Sequence, residues 1–503
     1  MPGTLSQYDK IFNYIKEEFY SNTLYGFSGY NTCYLSKKYR YYIELWKYWY
    51  SGYVEDFHQY YYYNGDNRIE VEKKHLNMAK KVAEDKASLL LNEKFTINLD
   101  SDEDTEFVET ILKNNYFRHR ANELVERVNA WGTGAFVEFL QDGEINIDYI
   151  NADHVIPLTV DNGDIINCAF VSTYRYLDDV IFYLNTHIYL KPAKTEEQVE
   201  KRLEQGIPVD YEGYIIENRI LKEDRNSNLV SVENSEVVSF ILTNTTMPFF
   251  QIIKPNIANN VCINDINNGM GISVYANAID VLCSVDNAYD NLDNEIISGR
   301  KRLVVHDKLS KIETSGTGSE TIIKPVFDKK DTVYFAMNMG DDVKDPIKEI
   351  DMTLRIDECE KAINKQLSIL SMRCGLGNNY YRFEGGQVKT ATEVISDNNP
   401  LFRNIKKDEL ILKEALVKMT KVILYLADRN IEQDINVNFD DSIFEDTNAI
   451  RQNKLLEYTS GIIDKVQYFI DVYKMTEEQA IKHVGAMQAR MPQETNIDFM
   501  ETE

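Results

Sequence analysis

Apolar residues recur at helical spacing in two long stretches of the second half of the chain. In Ile272 to Ser298 they return every three or four positions over roughly seven turns, and Asp351 to Leu370 keeps one apolar stripe. Between these stretches, Leu303 to Val305 and Thr332 to Met337 have the composition of short strands. We therefore predict two long helices that flank a small β insert.

The first half of the chain predicts helices followed by a β-rich middle. Asn77 to Leu91 has helical spacing, and Phe95 to Leu99 alternates as a strand does. Asp142-Gly143 supplies the residues that a tight hairpin turn requires. Strand and turn signals then repeat to about Asn244, and the charged segment Lys194 to Gln205 predicts a surface helix or loop.

A glycine-rich segment follows the second predicted long helix. Gly385 and Gly386 can take φ values that are closed to other residues, so they predict the hinge of a mobile loop. Thr390 and Glu393 then stand at capping-box spacing ahead of another apolar-periodic stretch. We predict a loop that leads into a long helix with a kink or break at Pro400. The chain beyond it is predicted to be helical and acidic.

Aromatic residues crowd the stretch from Tyr39 to Tyr63, where many of the 33 tyrosines of the chain lie. Tyrosine is amphipathic, so the favoured interpretation is partial burial with hydroxyl groups that reach water or the backbone. The alternative is a contact with another subunit or with carbohydrate.

Composition changes the picture mainly through charge. The net charge of −26 and the isoelectric point near 4.8 argue against an outer surface that grips phosphate through a general basic coat. The six cysteines form no CxxC pair, so neither a disulfide framework nor a zinc knuckle is predicted, and a reducing cytoplasm fits. We also expect no signal peptide and no membrane span.

Candidate catalytic groups each have a simpler interpretation. The seven histidines form no HExxH motif, and the chain has neither a GxSxG elbow nor a Walker A loop, so no enzyme activity, metal or cofactor is predicted. Asp286, Asp290 and Asp293 share a helical stripe that predicts a solvated face. Asp100 to Glu106 predicts a helix start, and Asp440-Asp441 predicts an acidic turn before a helix.

Three local sequences carry a resemblance to a known family: WGTGAFVEF with the following DG, GMGISVYANAIDVL running on to DNLDNEIISGRKRLVV, and KTATEV. Together with the predicted order of elements, they resemble the portal proteins of tailed double-stranded DNA bacteriophages, especially those of long-tailed phages of Gram-positive hosts. The resemblance implies an α+β portal fold. Its parts would be a wing (1–269), a first stem helix (270–298), a clip (299–350), a second stem helix (351–375), a tunnel loop (376–389), a kinked tunnel helix with the rest of the wing (390–444) and a crown (445–503).

What the resemblance implies for function is a homo-oligomeric ring, usually of twelve subunits, at one vertex of the capsid. Double-stranded DNA would pass through it without sequence preference during packaging and ejection. The implied partners are the terminase large subunit, a head-completion or adaptor protein, and the capsid and scaffolding proteins. The protein would be assembled in the host cytoplasm, would reside in the virion and would not contact a membrane.

The resemblance also suggests roles for basic residues. Lys361 and Lys365 in the second stem helix, with Lys389 in the tunnel loop, are candidates to face DNA in the channel. Candidate contacts of the clip with its partners are Arg300, Lys301 and Arg302.

Three alternatives remain at this point: another capsid or connector protein, a nuclease or ATPase of the packaging machinery, and a host-surface protein that binds glycan.

Overall fold

Helices and β-sheets are both extensive, as expected for an α+β protein. The computed structural model of the chain describes residues 2–17, 36–64, 66–91, 95–176, 179–224, 228–232, 240–262, 266–299, 302–306, 312–315, 322–325, 334–337, 347–350, 353–378, 380–383, 391–439, 447–473 and 480–485. The helices are α1 (Pro2–Ile15), α2 (Lys37–Ser51), α3 (Glu55–His58), α4 (Met78–Leu90), α5 (Asp102–Asn114), α6 (Phe117–Trp131), α7 (Glu196–Glu204), α8 (Ile279–Ser298), α9 (Ile356–Arg373), α10 (Ala391–Leu426), α11 (Thr447–Thr459) and α12 (Lys465–Tyr473).

The strands form several antiparallel or mixed sheets. They are β1 (Gln59–Asn64), β2 (Asn67–Glu72), β3 (Thr96–Leu99), β4 (Gly134–Gln141), β5 (Glu144–Asn151), β6 (Val155–Asp161), β7 (Asp164–Tyr176), β8 (Asp179–Leu190), β9 (Gly213–Glu223), β10 (Leu229–Ser231), β11 (Phe240–Leu242), β12 (Phe250–Ile253), β13 (Arg302–His306), β14 (Ile312–Ser315), β15 (Ile322–Pro325), β16 (Tyr334–Met337), β17 (Ile347–Ile350) and β18 (Ile435–Asn438).

The predicted β-rich middle is confirmed. Strands β6 to β10 run in the order β10-β9-β8-β7-β6, β11 pairs with β9, and a second sheet has the order β12-β4-β5. The turn between β4 and β5 uses Asp142 and Gly143 at φ values of 54° and 84°, the left-handed conformations that a two-residue hairpin needs. The charged segment is helix α7, which begins with a capping box between Thr195 and Gln198.

The aromatic stretch divides into a buried and an exposed part. Tyr39 and Trp46 on α2 are fully buried, and they pack edge to face with ring centroids 6.1 Å apart. The Tyr275 hydroxyl donates a hydrogen bond to the Trp46 carbonyl oxygen, 2.9 Å away. Partial burial is therefore confirmed for α2. In contrast, Tyr61, Tyr62 and Tyr63 on β1 are 53%, 50% and 65% exposed.

Helix α8 begins later than the sequence predicts, at Ile279 rather than Ile272. The preceding residues are held in place by contacts with the last turn of α6 and the loop that follows it. The Gly271 N–H donates to Thr133 Oγ1 over 2.9 Å, and the Val274 N–H donates to the Asn129 carbonyl oxygen over 2.9 Å. A Cβ on Gly271 would lie 2.0 Å from the Gly132 carbonyl oxygen, so this close approach also requires glycine.

The β insert ends with strand β17, just before the start that the sequence predicts for the second long helix. Residues Ile347–Ile350 form β17 and pair antiparallel with β13. Strand β13 also pairs in parallel with β16, and β14 pairs with β15. Helix α9 begins at Ile356, later than the predicted Asp351.

Helix α10 runs without interruption from Ala391 to Leu426 and includes Pro400, so the structure contains no break there. Contacts divide the chain into two compact units, one of residues 1–385 and 403–439 and the other of 386–402 and 440–503. The second unit contains α11 and α12, as predicted for a helical C-terminal part, and Lys454 forms an ion pair with Asp471 at 3.0 Å. No helix among the described residues is long and apolar enough to span a bilayer.

Candidate functional site

Helices α8 and α9 form an antiparallel pair on either side of the β insert. At one end, the Arg355 guanidinium donates hydrogen bonds of 2.8 and 3.2 Å to Glu295, and the Arg355 N–H donates a third at 3.2 Å. At the same end, Gly299 lies so close to Leu354 that a Cβ would come within 2.0 Å of the leucine side chain. Both helices bury aliphatic side chains. Leu282 and Val285 are buried on α8, and Ile363, Leu367 and Leu370 are buried on α9.

The two helices differ in charge. Helix α8 carries five acidic residues and no basic residue, whereas α9 carries three acidic and three basic ones. Lys361 and Lys365 stand one turn apart on α9 and are both exposed. Neither lysine forms an ion pair with any residue that the structure describes. The structure thus places both predicted channel lysines on one exposed stretch of α9.

The acidic stripe of α8 is not simply a solvated face, so that prediction is wrong for Asp286. The residue is 4% exposed, and its carboxylate accepts hydrogen bonds from the Leu76 N–H at 2.9 Å and from His58 Nε2 at 3.2 Å. One turn further, Asp290 accepts a hydrogen bond from the Lys74 N–H at 3.0 Å. Two carboxylates of α8 thus hold the segment that follows β2.

His58 is fully buried, and both of its ring nitrogens have polar neighbours. The Val54 N–H lies 2.8 Å from Nδ1, and Asp286 Oδ2 lies 3.2 Å from Nε2. Burial raises the pKa of the Asp286 carboxyl group, and the hydrogen bonds from Leu76 and His58 act in the opposite direction. Sequence analysis missed this pair because 228 residues separate its members.

The described part of the predicted tunnel loop (376–389) lies along α9. The Tyr381 N–H donates to Ser371 Oγ at 3.2 Å, and the Phe383 N–H donates to Asn364 Oδ1 at 2.8 Å. The Tyr381 hydroxyl donates to Asp85 on α4 at 2.8 Å. The chain therefore runs back along α9 and reaches the turn that carries Lys365 just before residue 384.

Several predicted site residues lie in parts of the chain for which the structure gives less detail. Glu393 lies in the first turn of α10 and Arg302 is the first residue of β13, but their side chains are outside the described residues. The other predicted residues outside the described ranges are Arg300, Lys301, Gly385, Gly386, Lys389 and Thr390.

Within the larger unit, the part of α10 that begins at residue 403 is fixed by polar contacts. Asn404 Nδ2 donates to the Gly375 carbonyl oxygen at 3.0 Å. Asp408 accepts hydrogen bonds from the Asn256 N–H at 2.8 Å and from Lys86 Nζ at 3.0 Å. The side chains of Lys86 and Asp408 are only 3% and 7% exposed, so this is a buried ion pair. Nothing in the local sequence of either helix identifies it.

The described residues contain no group of three or more histidine, cysteine or acidic side chains that could hold a metal ion.

None of the curated proteins compared with this chain matches it. The family model described as "Phage portal protein, SPP1 Gp6-like" matches residues 35–491, which is nearly the whole chain. Proteins of this family are structural components of the virion, so the nuclease and ATPase alternatives are excluded. The chain therefore belongs to the SPP1 Gp6-like family of phage portal proteins, in agreement with the resemblance found in its sequence.

Proposed function

We propose that the protein forms a dodecameric ring at one vertex of the capsid, through which double-stranded DNA is packaged and later ejected. The observation that carries this proposal is the antiparallel pair α8 and α9 with a β insert between them, in a chain whose family is established. A helix pair of this kind can line a channel when copies are arranged around an axis. The insert then projects from one end of the pair, where it is accessible to partners.

We assign parts of the ring on the same basis. Helices α8 and α9 form the stem, β13 to β17 form the clip, and residues 376–389 form the tunnel loop. Residues 1–269 and the chain from 390 to 444 form the wing together with the tunnel helix, and residues 445–503 form the crown. The hydrogen bonds from Tyr381 and Phe383 to α9 support the tunnel-loop assignment, because they direct the chain toward the stem before residue 384.

The charge distribution supports passage of DNA without tight binding. A dodecamer of chains with net charge −26 has a formal charge of about −300, so the ring as a whole repels phosphate. Helix α8 contributes five carboxylates to the stem. Against this background, Lys361, Lys365 and Lys389 are proposed to contact the DNA backbone and to centre the duplex.

The partners follow from the position of each part. The clip is proposed to bind the terminase large subunit during packaging and a head-completion or adaptor protein afterward, with Arg300, Lys301 and Arg302 in the contact. Capsid and scaffolding proteins are proposed to contact the outer ring during assembly in the host cytoplasm. Each of these contacts is with protein or DNA, and none requires a membrane.

The mass of the purified protein in solution, followed by negative-stain imaging, tests the proposal. The measurement is made on the protein alone and after co-expression with the scaffolding protein of the same phage, because assembly can depend on that partner. The expected result is a ring with a central channel in at least one preparation. A compact dimer with a closed two-fold interface in both preparations would contradict the proposal.

A further inference from the structure

Strands β1 and β2 form a hairpin with three consecutive exposed tyrosines, here called the tyrosine hairpin (residues 59–72). All six residues of each strand are paired, from Gln59 opposite Glu72 to Asn64 opposite Asn67. Among the residues that the structure describes, no third strand joins this sheet. An isolated two-stranded hairpin is only marginally stable in water. A contact with another molecule would therefore stabilise the tip of this hairpin.

The base of the tyrosine hairpin is firmly attached to the first stem helix. The Lys73 N–H closes the hairpin by donating to the His58 carbonyl oxygen at 2.8 Å. The Lys74 and Leu76 N–H groups bind the carboxylates of Asp290 and Asp286 on α8 at 3.0 and 2.9 Å. The direction of the hairpin is therefore set by α8.

The exposed surface of the hairpin is aromatic and carries little net charge. Residues 59–72 contain three acidic residues and one basic residue, and Lys73 and Lys74 at the base bring residues 59–74 to a formal charge of zero, in a chain whose net charge is −26. Two copies that meet through this surface therefore repel each other less than two copies that meet through an acidic surface. DNA would find no excess positive charge here. Tyrosine is enriched at protein interfaces because it buries a large area with few torsions to fix.

We propose that the tyrosine hairpin is an intersubunit arm that packs against a second copy of this chain in the ring. This inference rests on the ring proposed above. Tyr61 and Tyr63 share one face of β1, with ring centroids 5.8 Å apart, and Tyr62 lies on the other face. Each is half exposed or more, so a neighbour that encloses both faces would cover on the order of 300 Å² per arm if a whole tyrosine offers about 200 Å². A stable interface needs about 800 Å² per partner. The arm therefore strengthens the ring without holding it together alone.

The first test compares ring stability between the full-length wild-type protein and the triple variant Tyr61→Ser/Tyr62→Ser/Tyr63→Ser. Mass photometry over a dilution series measures the concentration at which rings dissociate. We expect the rings of the triple variant to dissociate at a concentration at least about ten-fold higher than wild-type rings. The loss of only about 1.4 kcal/mol of contact free energy is enough to raise a dissociation constant tenfold. Tyr116→Ser is the matched control, since Tyr116 is 68% exposed but lies outside the hairpin.

A photo-cross-linking amino acid at position 62, with position 116 as the control, keeps the test valid if the triple variant does not fold. The expected product is a cross-link between subunits from position 62 alone. Wild-type rings that form with only intramolecular products from position 62 would overturn the arm and leave the ring proposal intact. A wild-type protein that forms no ring under any condition would overturn both proposals.

Discussion

At the scale of single residues, two buried carboxyl groups behave in opposite ways. Asp286 has a hydrogen-bond donor for each oxygen, from His58 and from the Leu76 main chain. Glu138, in the middle of β4, is fully buried, and neither of its side-chain oxygens has a hydrogen-bond partner among the described residues. The hydrogen bonds of Asp286 thus stabilise the fold, whereas ionised Glu138 destabilises the folded state.

Replacement of Asp286 by alanine should lower the free energy of unfolding by about 2–3 kcal/mol, because the buried His58 ring and the partly buried Leu76 N–H lose their shared hydrogen-bond partner. Urea-induced unfolding of the full chain measures the change. Asp293→Ala, on the same helix but without a hydrogen bond to a described residue, is the control and should change stability little. Equal effects of the two substitutions would show that Asp286 is not a structural acceptor.

The pH dependence of stability should report Glu138. Burial raises the pKa of its carboxyl group from 4.5 to about 8, so the folded state binds the proton more tightly than the unfolded state. Its effect is therefore smallest below about pH 4.5, and stability falls as the pH rises through 8. Between about pH 4.5 and 8, the free energy of unfolding should fall by about 5 kcal/mol in total because of this group.

Glu138→Gln should remove this part of the pH dependence, so that the variant becomes more stable than the wild type as the pH rises toward 8. Urea unfolding of both proteins at a series of pH values gives the difference directly. Glu144→Gln, an exposed change in the same hairpin, should leave the curve unchanged. A constant difference between Glu138→Gln and the wild type at all pH values would contradict the expected titration.

At the scale of elements, the structure shows how α10 is fixed to α4. The ion pair between Lys86 and Asp408 is almost fully buried, and Asp408 also accepts a hydrogen bond from the Asn256 N–H. Removal of one partner leaves an uncompensated charge in the interior, which costs more than the pair itself contributes. The consequence is strong coupling between the two helices at this point.

Lys86→Met should destabilise the protein by about 3–5 kcal/mol, since the Asp408 carboxylate would remain buried without its counter-ion. The double variant Lys86→Met/Asp408→Asn should lose less than the sum of the two single variants, because it leaves no buried charge. Denaturant unfolding of all four proteins gives the interaction free energy. Additive effects would show that the ion pair does not couple the helices.

At the scale of the whole molecule, charge is the property that multiplies on assembly. Two exposed lysines on α9 become two rings of positive charge in the proposed dodecamer, in a channel wall to which α8 adds only acidic residues. The attraction of such rings for phosphate acts over about 8–10 Å at physiological salt. They can centre a duplex without holding it.

Lys361→Glu/Lys365→Glu should reduce the amount of DNA packaged per capsid severalfold while ring formation is unchanged, because the variant repels the duplex at both positions. The DNA content of purified capsids measures the effect. Lys37→Glu/Lys38→Glu carries the same change of charge on exposed residues of α2 and should package normally. Equal packaging by both double variants would argue that the α9 lysines do not face DNA.

Local patterns were sufficient to predict several elements of this protein. The helix α4 and the turn at Asp142-Gly143 were predicted from the sequence and found in the structure, and the segment predicted as a surface helix or loop is helix α7. These features depend on residues within one or two turns of each other, so short-range periodicity and turn chemistry determine them. The order of helix, β insert and helix, together with three local motifs, also identified the family.

The tertiary structure decided what distant residues do to one another. It placed the start of α8 at Ile279, because the main chain of Gly271 and Val274 donates hydrogen bonds to the end of α6 and the loop after it. It buried Asp286 against His58, 228 residues away, and Lys86 against Asp408, 322 residues away. Such contacts are invisible to periodicity because the chain brings these residues together only when whole elements pack, and the energy of a polar group depends on that packing.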